Sequence, residues 1–447
     1  MELRLSEVLS ALSHALDITE GQPRGHAERT CVIGMRLGTQ IGLHEQDLSS
    51  LFYALLLKDA GCSSNAAKVA SLYGHADALV KRDRKTTDHL RPGQSLRHML
   101  RNTAPRTSPL TKARHIKALI EHGSDGAREL TALRCERGAE VARNVGMDDA
   151  TAEAIAALDE HWDGRGYPAG AAGEQIPLLG RVLCLAQTAD VFWQLGGADG
   201  ACEVARARRG TWFDPMLANV LCSFEHDELF WASLEQPRVG AWEPEDRAET
   251  LDQDRLDRVA EAFATVVDAK TPYTARHSEG VARIAVGLAV LLELDERTQR
   301  DLYRAGLLHD IGKLGVSNRI LDKRGPLDDE EWAEVRRHPL TSLQILRGVG
   351  ALRNVARLSG LHHERLDGSG YYLGFDGTQL DLPARVLADA DVAEALSAER
   401  PYREALAPDE VLEIIAREAG TTLDAEAFEA LVTLMKQPSA AELHTAV

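Results

Sequence analysis

The sequence predicts an all-α protein built as two tandem helical bundles joined by a linker. Three observations predict it. Apolar residues recur with a helical period along most of the chain, and alternating strand-like runs are scarce. Residues 1–62 lie over 252–313 without a gap when shifted by 251 positions. Between the two copies runs Gln236-Pro-Arg-Val-Gly-Ala-Trp-Glu-Pro-Glu-Asp-Arg247, with two prolines and a glycine, as a linker should. The expected division is a first repeat over 1–235, a linker over 236–251 and a second repeat over 252–447.

The first repeat opens with Leu5 and Val8, which fall on Leu256 and Val259 of the second. Asp17, His26, Leu57, Asp59 and Gly61 fall on Asp268, His277, Leu308, Asp310 and Gly312. The repeat then carries an insertion. Positions 58 and 134 are 76 apart, whereas their counterparts 309 and 338 are 29 apart. This insertion, at about 63–118, holds 12 Lys/Arg against 3 Asp/Glu in a chain of net charge −18. It reads as a solvated basic helical excursion or, more sharply, as a docking surface for an acidic protein partner or a nucleotide. Later segments match too. Asp163-Gly-Arg-Gly-Tyr-Pro168 lies over Asp367-Gly-Ser-Gly-Tyr-Tyr372, and Arg181-Val-Leu lies over Arg385-Val-Leu.

In the second repeat, Val281, Ile284, Ala285, Leu288, Leu291 and Leu292 follow one helical face after His277. Asp295 is the expected N-cap of a helix that carries Leu302, Ala305 and Leu308 and ends near Gly312. Asp328 and Glu331 have capping-box spacing ahead of Val335 and His338. Leu352 to His363 is another periodic helix, and the Gly/Asp-rich stretch 367–377 is loop.

Totals exclude several classes. The acidic balance argues against a general DNA binder, and no run of 18 apolar residues predicts a membrane span. The N-terminus lacks a basic region followed by an apolar run, so a cytoplasmic protein is expected. Cys31, Cys62, Cys135, Cys184, Cys202 and Cys222 form no CxxC pair and read as reduced, mostly buried residues.

The chemistry concentrates in the second repeat. His277, His309, Asp310, His338, His362, His363 and Asp391 fall near helix ends of one bundle. Mixed imidazole and carboxylate donors suit borderline divalent metals, and adjacent His-Asp and His-His pairs can feed two neighbouring ions. The first repeat places Lys58 over His309, Arg134 over His338, Leu158-Asp159 over His362-His363, and Gln187 over Asp391. Cys62 stands over Lys313, and only His26 and Asp59 keep their type. The scaffold persists while the donors are gone, which points to a structural, dimerising or ligand-sensing first half.

The blocks Leu308-His-Asp-Ile-Gly-Lys313, His338, His362-His-Glu-Arg-Leu-Asp-Gly-Ser-Gly-Tyr371, Arg385-Val-Leu-Ala-Asp-Ala-Asp391 and Arg400-Pro-Tyr-Arg403 resemble an HD-GYP phosphodiesterase over about 255–435. The first half resembles a degenerate copy of the same HD domain. The resemblance implies a two-metal centre held by His277, His309, Asp310, His338, His362, His363 and Asp391, with Asp310 between the ions. Fe or Mn is favoured, with Co and Ni as alternatives. It further implies that Lys313 neutralises charge on the phosphate, that Arg400 and Arg403 hold a second phosphate or a guanine edge, and that Tyr371 lines the pocket. Some members carry a carboxylate for a third metal one turn before the first histidine. Tyr273 stands there, so two ions are expected. The name-giving triplet reads Gly370-Tyr371-Tyr372, which puts any partner docking through it in doubt.

The implied activity is hydrolysis of a cyclic dinucleotide to a linear dinucleotide, with GMP after a second cut. Cyclic di-GMP leads on family grounds, and 3′,3′-cyclic GMP–AMP is the alternative within the same chemistry. Another nucleotide hydrolysis is a weaker enzyme reading. A non-catalytic nucleotide receptor or scaffold, with a homodimer among its partners, is the reading from a different class.

Overall fold

The computed structural model describes residues 3–105, 107–244, 251–272, 276–398 and 404–436. Every regular element among them is a helix, and extended pairing is limited to isolated bridges such as Asp163 with Ala172. The chain is all-α. No helix among the described residues is long and apolar enough to cross a membrane. It divides into two compact units, Met1–Asp252 with Ser317–Arg319, and Gln253–Val316 with Ile320–Val447.

In the first unit, Leu5–Thr19, His26–Gln40, Glu45–Leu57 and Leu178–Ala207 form the bundle. Leu5, Val8, Leu9, Leu16, Ile33, Leu37, Phe52 and Leu55 recur at helical spacing and are fully buried. Each such side chain contributes about 1.5–3 kcal/mol on leaving water. Within the stretch expected as linker, Val239–Ala241 form one turn and Val239 is buried. Glu243 accepts from Ser6 Oγ at 2.8 Å and from Tyr53 Oη at 3.3 Å. Residues 245–250 lie outside the described ones.

The second unit repeats the plan with Gln253–Asp268, His277–Leu291, Glu296–Leu308, His338–Leu346, Arg353–Leu361 and Leu382–Ser397. Asp295 caps its helix by accepting from Thr298 N at 3.0 Å, and Asp328 with Glu331 closes the capping box. One boundary differs from expectation. The helix stops at Leu308, and Ile311–Gly315 form a tighter turn through Gly312. That turn requires glycine: a Cβ on Gly312 would meet the His338 carbonyl oxygen at 2.1 Å. Gly61 meets the Arg134 carbonyl in the same way, at 1.8 Å. Both copies keep glycine because two backbones touch there.

The insertion also differs. Ala66–Tyr73, Asp77–Thr86 and Pro92–Asn102 are helices, but they are not a solvated excursion throughout. Lys81 is buried, and the Lys85 side chain is 13% exposed; both turn inward to carboxylates of the first unit. Local charge counting could not see those partners.

Candidate functional site

The fold brings His277, His309, Asp310, His338, His362, His363 and Asp391 together inside the second unit: the first six sit at or beside helix ends, and Asp391 projects from the middle of Leu382–Ser397. His277 opens His277–Leu291. Asp268, ending the preceding helix, accepts from Ser278 N at 3.2 Å and Ser278 Oγ at 2.8 Å and so pins that start. His309 and His362 are the residues on which their helices end, and His338 begins another.

Backbone carbonyls fix three of the rings. His309 Nδ1 donates to Gly306 O at 2.8 Å, His338 Nδ1 to Val335 O at 2.7 Å, and His362 Nδ1 to Ser359 O at 2.6 Å. A carbonyl only accepts, so Nδ1 carries the proton and Nε2 faces inward. His338 Nε2 and His362 Nε2 lie 3.1 Å apart. Burial, the largest cause, holds both imidazoles below their usual pKa, so two lone pairs face each other. A cation would relieve that repulsion.

Asp310 stands in the middle. Its Oδ2 is 3.6 Å from His277 Nε2 and 3.4 Å from His309 Nε2. Its Oδ1 is 3.2 Å from His338 Nε2 and 3.7 Å from His362 Nε2. Asp391 Oδ1 lies 3.5 Å from His277 Nε2, and Asp391 Oδ2 lies 4.0 Å from His363 Nδ1. The donors therefore fall into two groups, His277, His309 and Asp391 on one side and His338, His362 and His363 on the other.

Charge is distributed unevenly across the two groups. Burial opposes a charged His277, yet Glu394, Asp310 and Asp391 outweigh it and push its pKa up to about 9. His309 is driven against burial to about 10 by Asp310 and Asp391. Burial raises Asp310, but Lys313 and His309 prevail and hold it well below the usual range. These carboxylates thus call for positive charge, which protons and an ammonium supply and a divalent ion would supply more strongly. His309 Nε2 and Asp310 Oδ1 are buried with no hydrogen-bond partner. The donor set, its tautomers and its orphaned atoms fit metal ions.

Lys313 forms an ion pair with Asp310, and its side chain is 26% exposed. Tyr371 packs on His363 with ring centres 4.6 Å apart, and Arg336 lies over it at 5.6 Å. Arg400 and Arg403, expected on the substrate, and Tyr273, at the third-metal position, lie outside the described residues. Two carboxylates escaped the sequence reading. Glu394 pairs with His277 Nδ1 and orients its ring. Glu364 accepts from Leu373 N at 2.7 Å and Phe375 N at 3.0 Å, anchoring the loop that carries Tyr371. The repeat held the signal. At the shift of 204 that aligns the later segments, Asp190 lies over Glu394 and Glu160 over Glu364. Asp190 is 2.6 Å from His26 Nδ1, and Glu160 accepts from Ala169 N at 2.6 Å.

In the first unit, cations occupy the corresponding interior. Lys58 pairs with Asp59, and Arg134 with Asp159. Glu20 lies 3.2 Å from Lys85, 3.6 Å from Arg134 and 3.8 Å from Lys81. Although burial would raise Glu20, Lys85, Arg134 and Lys81 hold it well below the usual range. Glu20, Asp59 and Cys62 are close enough to hold an ion. The surrounding ammonium and guanidinium groups already neutralise them, and burial beside Glu20 keeps Cys62 a thiol.

An HD domain family model matches residues 117–217 and 261–427. The 3′3′-cGAMP-specific phosphodiesterase 3 of Vibrio cholerae is 43% identical over 435 residues, covering 96% of this chain and 94% of that protein. A cyclic di-GMP phosphodiesterase of Pseudomonas aeruginosa is 40% identical over 176 residues, covering 38% of this chain and 42% of its own. The crystal structure of the Vibrio cholerae cyclic GMP-AMP phosphodiesterase V-cGAP3 superposes with a TM-score of 0.67 at 38% identity, covering 98% of this chain and all of that one. With its paired copies of the scaffold and the intact histidine–aspartate set of the second, the chain belongs to the HD domain family, as a tandem protein of the HD-GYP type.

Proposed function

We propose that this phosphoric diester hydrolase acts on 3′,3′-cyclic GMP–AMP in preference to cyclic di-GMP. The order of the two substrates is thereby reversed from the sequence reading. The support is coverage: the relative alike across both halves is specific for the hybrid dinucleotide. The cyclic di-GMP enzyme of Pseudomonas aeruginosa matches over 38% of the chain.

The catalytic part of the proposal rests on one observation. Each oxygen of Asp310 faces a different half of the histidine set. Two divalent ions, held by His277, His309 and Asp391 on one side and His338, His362 and His363 on the other, would polarise the phosphoryl group and activate water. Asp310 fixes the spacing between the two halves. The carbonyl-bound Nδ1 protons hold three rings against rotation. Glu394 does the same for His277. Lys313 offers its ammonium to charge developing on the phosphate. Tyr371 covers His363, and burial keeps its phenol protonated. Arg400 and Arg403 complete the reading as holders of the second phosphate or a guanine edge. Iron or manganese suits these donors, with cobalt and nickel next. All six cysteines are free, which fits a reducing, cytoplasmic setting.

The test is hydrolysis of the two cyclic dinucleotides side by side, with Mn²⁺ or Fe²⁺ supplied anaerobically. The hybrid should be cut at a kcat/KM roughly tenfold or more above cyclic di-GMP, a difference of about 1.4 kcal/mol in transition-state binding. Equal or faster turnover of cyclic di-GMP would reject the preference. No turnover of either by metal-loaded protein would reject the substrate class.

A further inference from the structure

The first unit holds a cavity of about 510 Å³ beside its ion-pair network. Arg134, Asp159 and Gln187, which lie over His338, His363 and Asp391 of the second copy, form part of its lining. Insertion helices Ala66–Tyr73, Asp77–Thr86 and Pro92–Asn102 supply another wall. The helix Pro109–Asn144, broken at Gly123 where φ is 49°, borders it too. The insertion has no counterpart in the second copy, so this cavity is particular to the first.

Its lining is cationic and aromatic. Lys81, Arg84, Lys85 and Arg134 outnumber the carboxylates Glu20 and Asp159. Arg84 is half-buried and forms no ion pair among the described residues. The Trp212 and His161 rings stack at 4.1 Å and 22°, and His89 lies 5.6 Å from Trp212. Burial keeps His161 down at about 4 and holds His89 and His98 below the usual imidazole range, so these rings are neutral at pH 7.

Four lining groups also lack a partner. Trp212 Nε1, His161 Nδ1, His98 Nε2 and Asn65 Oδ1 are buried with no hydrogen bond. Their residues are 9%, 8%, 7% and 7% exposed. Buried polar atoms are normally satisfied, and a cluster of unmet ones around a single cavity points to a polar ligand. The volume falls inside the range of about 300–1,000 Å³ typical of small-molecule sites.

We propose that the first unit is a non-hydrolytic nucleotide-binding site, taking phosphate against Arg84, Lys85 and Arg134 and a base against the Trp212–His161 layer. Planar guanidinium groups suit phosphate oxygens, and a base finds unmet donors and acceptors beside an aromatic layer in which His161 and Arg208 already flank Trp212, at 4.1 and 4.0 Å. The cations that neutralise Glu20, Asp59 and Asp159 also exclude the metal ions hydrolysis would need. The site does not depend on what the second unit cuts.

Calorimetric titration of the full chain in chelator tests this, with 5′-GMP, 5′-AMP, their linear dinucleotides and both cyclic dinucleotides as probes. At least one should bind with a Kd in the micromolar range, about −8 kcal/mol. Arg84→Ala should weaken it roughly tenfold. Met99→Trp, which fills the cavity from its wall, should abolish binding with the melting temperature kept. His362→Ala, in the second unit, should leave that binding unchanged. No saturable binding below about 1 mM overturns the proposal, since a built site should exceed that affinity. So does binding indifferent to both Arg84→Ala and Met99→Trp, or inorganic phosphate binding as tightly as any nucleotide. Failure of the second unit to cut cyclic dinucleotides would leave every one of these outcomes readable.

Discussion

The two units solve one electrostatic problem in different ways. Each folds a conserved-in-place aspartate, Asp59 or Asp310, into a site that is 1% exposed. In the second unit the balancing charge comes from imidazoles and Lys313, groups that can yield to a metal ion. In the first, Lys58 and its neighbours Lys81, Lys85 and Arg134 are covalently part of the chain. The same bundle therefore serves as an exchangeable cation site or as a permanently neutralised core. What separates them is whether the balancing side chains include imidazoles, which can give up a proton and ligate an ion, or are ammonium and guanidinium groups, which stay charged.

The largest expected effect breaks the comparison at these two aspartates. Asp310→Ala should reduce turnover by about 1,000-fold or more, as expected when the group organising transition-state charge is removed. Asp59→Ala should leave chemistry at the second unit intact but destabilise the first by about 3–5 kcal/mol, because Lys58 stays buried without its partner. Turnover measured beside thermal unfolding separates the two. Equal loss of turnover in both variants would end the division of labour.

Replacing cations by donors sharpens the same point. Lys58→His with Arg134→His rebuilds two ligand positions, yet Lys81 and Lys85 still face Glu20. Metal content by elemental analysis should stay at the wild-type value. Acid offers a second approach. Lys58 and Lys85 hold Asp59 down at about 2, against the pull of burial. A depressed carboxylate contributes stability that is present above its unfolded pKa of about 3.9 and is lost as pH falls through the folded value. The first unit should therefore lose stability between about pH 5 and pH 2. In Asp59→Asn that acid-dependent part should shrink, as read by circular dichroism against pH.

Orientation of the ligands is a smaller matter. Glu394→Ala should lower metal affinity or turnover by about 10–100-fold, the usual size for a carboxylate that orients a ligating histidine. Asp190→Ala, at the matching place, should reduce only stability, since it frees His26 and Arg29 of a shared partner. Loss of turnover in the Asp190 variant would mean the first unit acts in catalysis.

How far the sequence reaches is visible in these residues. The all-α plan, the caps at Asp295 and Asp328 and the cluster of His277, His309, Asp310, His338, His362, His363 and Asp391 were all legible, because period, capping spacing and an internal repeat are local or self-referential signals. Glu394 and Glu364 were not singled out, although the shift of 204 placed them over Asp190 and Glu160. A carboxylate on a helix reads as solvent-facing until its partner, more than 100 residues away in the case of His277, is known. Lys81 and Lys85 misled for the same reason. Their charge was obvious, but the carboxylates that draw them inward, Glu20 and Asp59, lie just past the ends of helices far away in the sequence.

The smallest expected effect lies at a helix start far from the chemistry. The shift of 251 places His44 over Asp295. Asp295 accepts from Thr298 N, whereas His44 makes no side-chain capping bond. Restoring the cap with His44→Asp should therefore stabilise the first unit. Glu45 and Asp47 already provide negative charge to that first turn. The gain is then the hydrogen bond alone, about 0.5 kcal/mol, at the low end of the capping range. Asp295→Ala should cost more, about 1 kcal/mol, because that first turn holds Glu296 alone and loses the charge of the cap together with its hydrogen bond. Chemical denaturation of the two variants against wild type measures both. A gain at His44 equal to the loss at Asp295 would mean that charge in the first turn contributes nothing to either helix.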